Sequence, residues 1–140
     1  MDAPAPALVL VVIFLGLAAL HMFWAFSSRA GLLGFVPTEN GAPVFRPGRA
    51  ATLGVAVLLT AAAGVALWRG VWPDAGASRV PRIGIALIAV VFAARAVGDF
   101  RFVGFFKRVR GTNFARKDSL VFTPLCVVIS ALAVWLAVAY

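Results

Sequence analysis

The chain has 140 residues, 63% of them hydrophobic and only 13% charged, with a mean hydropathy of +1.00. A soluble domain is about a quarter charged, so this composition excludes an ordinary water-facing surface and makes the bilayer the expected solvent. The net charge of +8 does not indicate a nucleic-acid partner, because the basic residues lie between apolar blocks, where they suit anionic lipid headgroups and topology control.

In chain order, the first apolar block runs from Ala7 to Phe26 without a charge. It reads as a membrane span. Its leader, MDAPAPA, has no Lys or Arg, and the apolar run exceeds a signal-sequence core. Pro4 and Pro6 suit the approach to a helix start. The stretch 27–49 is rich in Gly and Pro and reads as a connection, with Asn40-Gly41 marking a turn. The second block, 50–68, is again uncharged, and 69–82 reads as another connection.

The third block begins at Ile83 and carries Arg95; it spans only if the helix continues into Asp99–Phe102 or if Arg95 snorkels to the interface. The fourth, 120–140, is uncharged, with Asp118 or Ser119 as its expected N-cap. Pro124 lies about one turn inside that helix, where it is tolerated or introduces a kink. The expected fold is therefore an all-α integral membrane four-helix bundle forming one domain over residues 1–140, with spans near 7–26, 50–68, 83–102 and 120–140.

Four spans put the first and third connections on one side. They hold nine cations (Arg29, Arg46, Arg49, Arg101, Lys107, Arg108, Arg110, Arg116 and Lys117) against three (Arg69, Arg79, Arg82) on the other. The positive-inside rule then gives an N-out/C-out orientation in a bacterial inner membrane. Trp68, Trp72, Trp135 and Tyr140 would form the outer aromatic belt, and Trp24 would sit near the inner interface. After the third helix comes an amphipathic, basic, Phe-rich segment. Phe100, Phe102, Phe105 and Phe106 would enter the acyl boundary while Arg101, Lys107, Arg108, Arg110, Arg116 and Lys117 meet headgroup phosphates.

Topology leaves a few residues unexplained. Arg95 and Asp99 are spaced i, i+4 and would share a helix face. An ionisable residue inside a span marks a site or a structural brace, and Asp99 is the nearest expected partner of Arg95. His21, the only histidine, falls at a matching depth on the first helix. It is an acid/base candidate or a packing residue bonded to a neighbouring helix. The catalytic candidates are thus His21, Arg95 and Asp99, and the ligand-binding candidates are Trp24, Glu39 and Arg95. Glu39 either joins Arg95 or Arg101 or is a solvated loop carboxylate. Thr112 and Asn113 read as loop polar groups. Cys126 is the only cysteine and reads as a packing residue, so neither a disulfide nor a multi-cysteine metal site arises. No metal and no cofactor is expected.

The stretches HMFWAF (21–26), VPTENGAPVFRPG (36–48) and RAVGDFRFVGFFKRVRGTNFARKDSLVFTPLC (95–126) resemble an uncharacterised bacterial family of small four-span membrane proteins, a domain of unknown function. The resemblance implies the four-span architecture and no catalytic role. It singles out His21, Trp24, Arg95, Gly98 and Asp99.

Three functions are compatible with this reading. The first is an accessory or lipid-associated binding module that packs with itself or with a larger membrane complex. The second is a membrane-embedded enzyme or carrier for a lipid-like or isoprenoid substrate, with Arg95 holding an anionic group, His21 as acid/base and Asp99 orienting one of them. A small dimeric transporter is disfavoured, because no carboxylate is expected at mid-span: Asp2, Glu39, Asp74 and Asp118 fall outside the spans and Asp99 at an end. Convergence of His21, Arg95 and Asp99 on an apolar pocket would favour the enzyme or carrier.

Overall fold

The structure is a computed structural model that describes residues 4–27, 33–72 and 77–138. Asp2, Arg29, Asp74 and Tyr140 lie outside the described residues. Four helices are long and apolar enough to cross a membrane: α1 (Pro4–Phe26), α2 (Arg49–Val71), α3 (Arg79–Val97) and α4 (Asn113–Val138). Between α1 and α2, Thr38–Glu39 (β1) and Ala42–Pro43 (β2) form a small antiparallel hairpin in which Thr38 faces Pro43 and Glu39 faces Ala42. Asn40 and Gly41 both take positive φ, 52° and 79°. That is the geometry of the tight two-residue turn an Asn-Gly pair favours.

The helices follow one another around the bundle. α1 packs most extensively on α2 and α3 on α4, while α2–α3 and α1–α4 contacts close the ring. The interior is built from Leu10 and Phe14 of α1, Ile85 of α3, and Ile129 and Leu136 of α4, separated by Ala7, Ala18, Ala63, Ala66, Ala89 and Ala133. In hydrocarbon there is no water-driven collapse between helices. Close approach over small residues and interhelical hydrogen bonds hold them together instead. Ser130 Oγ supplies one such bond, donating to the Ala89 carbonyl at 2.9 Å, for about 1 kcal/mol. The outer surface is the inverse of a soluble one: Val12, Phe23, Val57, Leu58, Val90, Leu120 and Val138 are all exposed, as lipid-facing side chains are.

Two of the helix ends that differ from the sequence expectation shape the site. α3 stops at Val97, so it does not continue to Phe102. Gly98, at φ 90° and ψ −170°, caps it by donating its N–H to the Ala94 carbonyl at 2.8 Å, in a region essentially confined to glycine that costs other residues about 1–3 kcal/mol. α4 begins seven residues before the expected Leu120. Thr112, expected in a loop, is its N-cap, with Oγ1 accepting from the Ala115 N–H at 3.0 Å. The helix then widens into a π-helical turn over Asp118–Phe122 before continuing as α-helix from Thr123. Pro124 lies at the start of this last stretch. Asp118 is therefore an interior helical residue and not a cap.

Candidate functional site

The first and third connections meet at one end of the bundle, as an up-and-down arrangement of four spans requires. Arg101 donates from Nη2 to both Glu39 carboxylate oxygens, at 2.9 and 3.2 Å. Lys117 Nζ donates to the Gly34 carbonyl at 3.0 Å and lies 4.4 Å from the Phe35 ring centre. Arg49 Nε donates to the Ala25 carbonyl at 3.0 Å, satisfying an acceptor left over at the end of α1.

The segment between α3 and α4 is a compact loop. Gly98 and Gly104 (φ 85°) lie back to back, and a Cβ on Gly98 would fall on the Val103 carbonyl. Phe105 N–H donates to the Ala96 carbonyl at 2.9 Å, closing the loop. Asp99 organises its interior. One carboxylate oxygen accepts from the backbone N–H groups of Arg101, Phe102 and Val103 at 2.9, 2.7 and 3.0 Å. Burial acts to raise its pKa. The N–H groups of Val103, Arg101 and Phe102 outweigh that and hold the carboxyl below the usual carboxylate range.

Arg95 therefore does not pair with Asp99, because the helix on which i, i+4 neighbours would meet ends between them. Its partner is Asp118. Arg95 Nη2 donates to Asp118 Oδ1 at 2.7 Å. Asp118 Oδ2 accepts from the Gly104 N–H at 2.8 Å, Lys107 Nζ at 3.0 Å and Thr123 Oγ1 at 3.1 Å. Four donors converge on one carboxylate, three of them on Oδ2, and the side chain is 0% exposed. Lys107 also departs from its expected place. It was expected at headgroups but is buried, with 3% of its side chain exposed, and also donates to the Gly104 carbonyl at 2.9 Å. The loop wraps it inward because its ammonium meets both a carboxylate and a carbonyl there. Arg101, Arg108, Arg110 and Arg116 remain exposed. Arg110 is tied to the carbonyls of Lys107 and Phe105.

Beside this cluster is a cavity of about 430 Å³ among α1, α2, α3, α4 and the first connection. Its walls are apolar and largely aromatic: Trp24, Phe35, Phe45, Phe92, Phe114 and Phe122, with Leu17, Leu125 and Ile129. His21 and Arg95 line the same space; Asp99 and Glu39 do not. His21 Nδ1 donates to the Leu17 carbonyl at 2.7 Å. The ring also stands edge-on to Trp24, with centres 5.1 Å apart. Arg95 has 32% of its side chain exposed, and its Nη1 is buried with no hydrogen-bond partner among the described residues. Cys126 is buried in the cavity wall, with no base bonded to it among the described residues. No group of three or more His, Cys, Asp or Glu placed to hold a metal occurs among the described residues.

The structure thus brings together His21, Trp24 and Arg95, and separates Asp99 and Glu39 from them. The residues missed by the sequence reading are Asp118, Lys107 and Gly104, joined to Arg95 across 23 positions by folding of the loop. One usable signal was present: Asp118 is the only carboxylate between Asp99 and the end of the chain, so it was the remaining counter-ion for a buried cation.

A small helical bundle with four membrane-length apolar helices and most of its charge gathered at one end is the class this fold defines. Within it, the family model described as a protein of unknown function (DUF3995) matches residues 14–133, and the chain belongs to that family. No curated protein and no solved structure matches the chain.

Proposed function

We propose that this chain is an accessory or lipid-associated binding module of the bacterial inner membrane, with both termini outside and its charged end on the anionic cytoplasmic leaflet. The observation that carries this reading is the grouping at one end of the bundle. Exposed Arg101, Arg108, Arg110 and Arg116 stand among exposed Phe100, Phe105 and Phe106, a pattern suited to phosphates above and acyl chains below. The adjoining cavity is apolar, with few polar groups, as binding pockets are, and it offers no nucleophile bonded to a base among the described residues. Homo-oligomers or a larger membrane complex are partners compatible with this role.

Native mass spectrometry of protein released from nanodiscs of equal phosphatidylglycerol and phosphatidylcholine tests it. Arg108 and Arg116 make no side-chain hydrogen bond among the described residues, so Arg108→Gln/Arg116→Gln leaves the fold intact. Preferential retention of phosphatidylglycerol, reduced in that variant, is expected. Equal retention of the two lipids by the wild type would overturn the reading.

The second reading, an enzyme or carrier for a lipid-like or isoprenoid substrate, is favoured by one observation, that His21 and Arg95 share a cavity. The absence of Asp99 from that cavity weighs against it: Arg95 is already held by Asp118, and no carboxylate orients His21 among the described residues. Turnover of an isoprenoid phosphate by the purified protein, lost in His21→Ala, would establish it.

A further inference from the structure

We propose that the cavity holds one chain of an anionic amphiphile, its carboxylate or phosphate head paired to the Arg95 guanidinium and its tail lodged among the aromatic walls. The proposal deepens the lipid-association reading and rests on it.

Charge is the first argument. Arg95 and Lys107 share one carboxylate, that of Asp118, so the cluster carries one uncompensated positive charge. Lys107 is enclosed, and its ammonium has two acceptors. The excess is therefore offered at Arg95, which is partly open and lines the cavity. The other carboxylates at this end are committed elsewhere: Asp99 to three backbone N–H groups and Glu39 to Arg101. A buried, unpartnered guanidinium nitrogen is costly, and Arg95 Nη1 is such an atom among the described residues. An oxyanion at the open part of the side chain pairs this excess charge once the guanidinium turns to bring Nη1 to it, since guanidinium presents a planar fork of donors that carboxylate and phosphate oxygens match.

Shape is the second. At about 430 Å³ the cavity lies toward the lower end of the range of roughly 300–1,000 Å³ found for small-ligand sites, which suits one chain and not a whole two-tailed lipid. Its apolar lining matches a hydrocarbon or isoprenoid tail, and its single cation sets the head to one end.

Photo-crosslinking of the full-length chain in phosphatidylcholine nanodiscs tests this, with a fatty acid carrying a diazirine on its chain as probe. Saturable labelling of Trp24, Leu125 or Cys126 is expected. Unlabelled dodecanoate or dodecyl phosphate should compete, and dodecanol should compete about tenfold less well, the loss of one charge-assisted pair. The better of the two anions identifies the head group. Arg95→Gln should erase the preference for anions over dodecanol. Val55→Trp, which fills the cavity without touching the charged cluster, should abolish labelling. Equal competition by dodecanol, undiminished labelling in Val55→Trp, or competition by inorganic phosphate as strong as by dodecyl phosphate would each overturn the proposal. If these fail while phosphatidylglycerol retention persists, the cavity assignment alone falls. Loss of both removes the lipid-association reading as well.

Discussion

Arg95 on α3 and Asp118 on α4 stand 23 residues apart in the chain and meet at 2.7 Å. The pair fastens neighbouring helices at the end of the bundle where most of the positive charge collects. Asp118 also receives Lys107, the Gly104 N–H and the Thr123 hydroxyl, so one carboxylate ties α3, the loop that follows it, and α4. Removing this single charge leaves Arg95 and the enclosed Lys107 facing each other without a counter-ion. Asp118→Asn should therefore destabilise the protein by roughly 3–5 kcal/mol. Glu39→Gln, which breaks an exposed pair with Arg101, should cost about 0–1 kcal/mol. Thermal unfolding of the two variants in one detergent compares them.

Burial separates the two lysines of the chain. Lys107 is enclosed, whereas Lys117 lies at the surface of the loop cluster. An amine-reactive reagent applied to the folded protein should modify Lys117 well before Lys107, and the two should react alike after denaturation. Peptide mass spectrometry reads the ratio.

Backbone geometry fixes Gly98 and Gly104. Both have positive φ, and each faces backbone of the other's strand of the loop. Gly98→Ala should cost more than the roughly 1–3 kcal/mol of this glycine-only conformation alone, because the added carbon meets the Val103 carbonyl. Gly111→Ala, where the new carbon meets nothing within 4 Å, should be nearly neutral by the same unfolding measurement.

Acid should loosen the loop through Asp99. Its folded-state pKa lies below the ordinary carboxylate value. Its stabilisation is thus present above the unfolded pKa, about 3.9, and is lost as pH falls through the depressed folded value. Asp99→Asn keeps an acceptor oxygen but cannot titrate. Its unfolding temperature should fall less steeply than that of the wild type below about pH 4.

The spans were legible because four uncharged or nearly uncharged runs of membrane length leave little alternative, and the Asn40-Gly41 turn because only a few residues accept two consecutive positive φ angles. Arg95 stood out for the same reason, as a charge in an apolar run. Its partner was not legible. The i, i+4 rule that pointed to Asp99 holds only on a continuous helix, and Gly98 ends this one. Asp118 looked like a cap because hydropathy marks where a helix becomes greasy, not where it starts. Thr112 starts α4 in polar sequence, and this shifts Asp118 into its interior. Lys107 read as a headgroup ligand because charge patterning cannot distinguish a lysine facing phosphate from one folded back onto a carboxylate.

A pair of double-mutant cycles tests the central claim, that the charged end is organised by Asp118 and not by Asp99. One cycle combines Arg95→Gln with Asp118→Asn, the other Arg95→Gln with Asp99→Asn, each followed by thermal unfolding. The structure requires a coupling of roughly 1–3 kcal/mol in the first cycle and additivity within about 0.5 kcal/mol in the second. Coupling of Arg95 to Asp99, with none to Asp118, would contradict it.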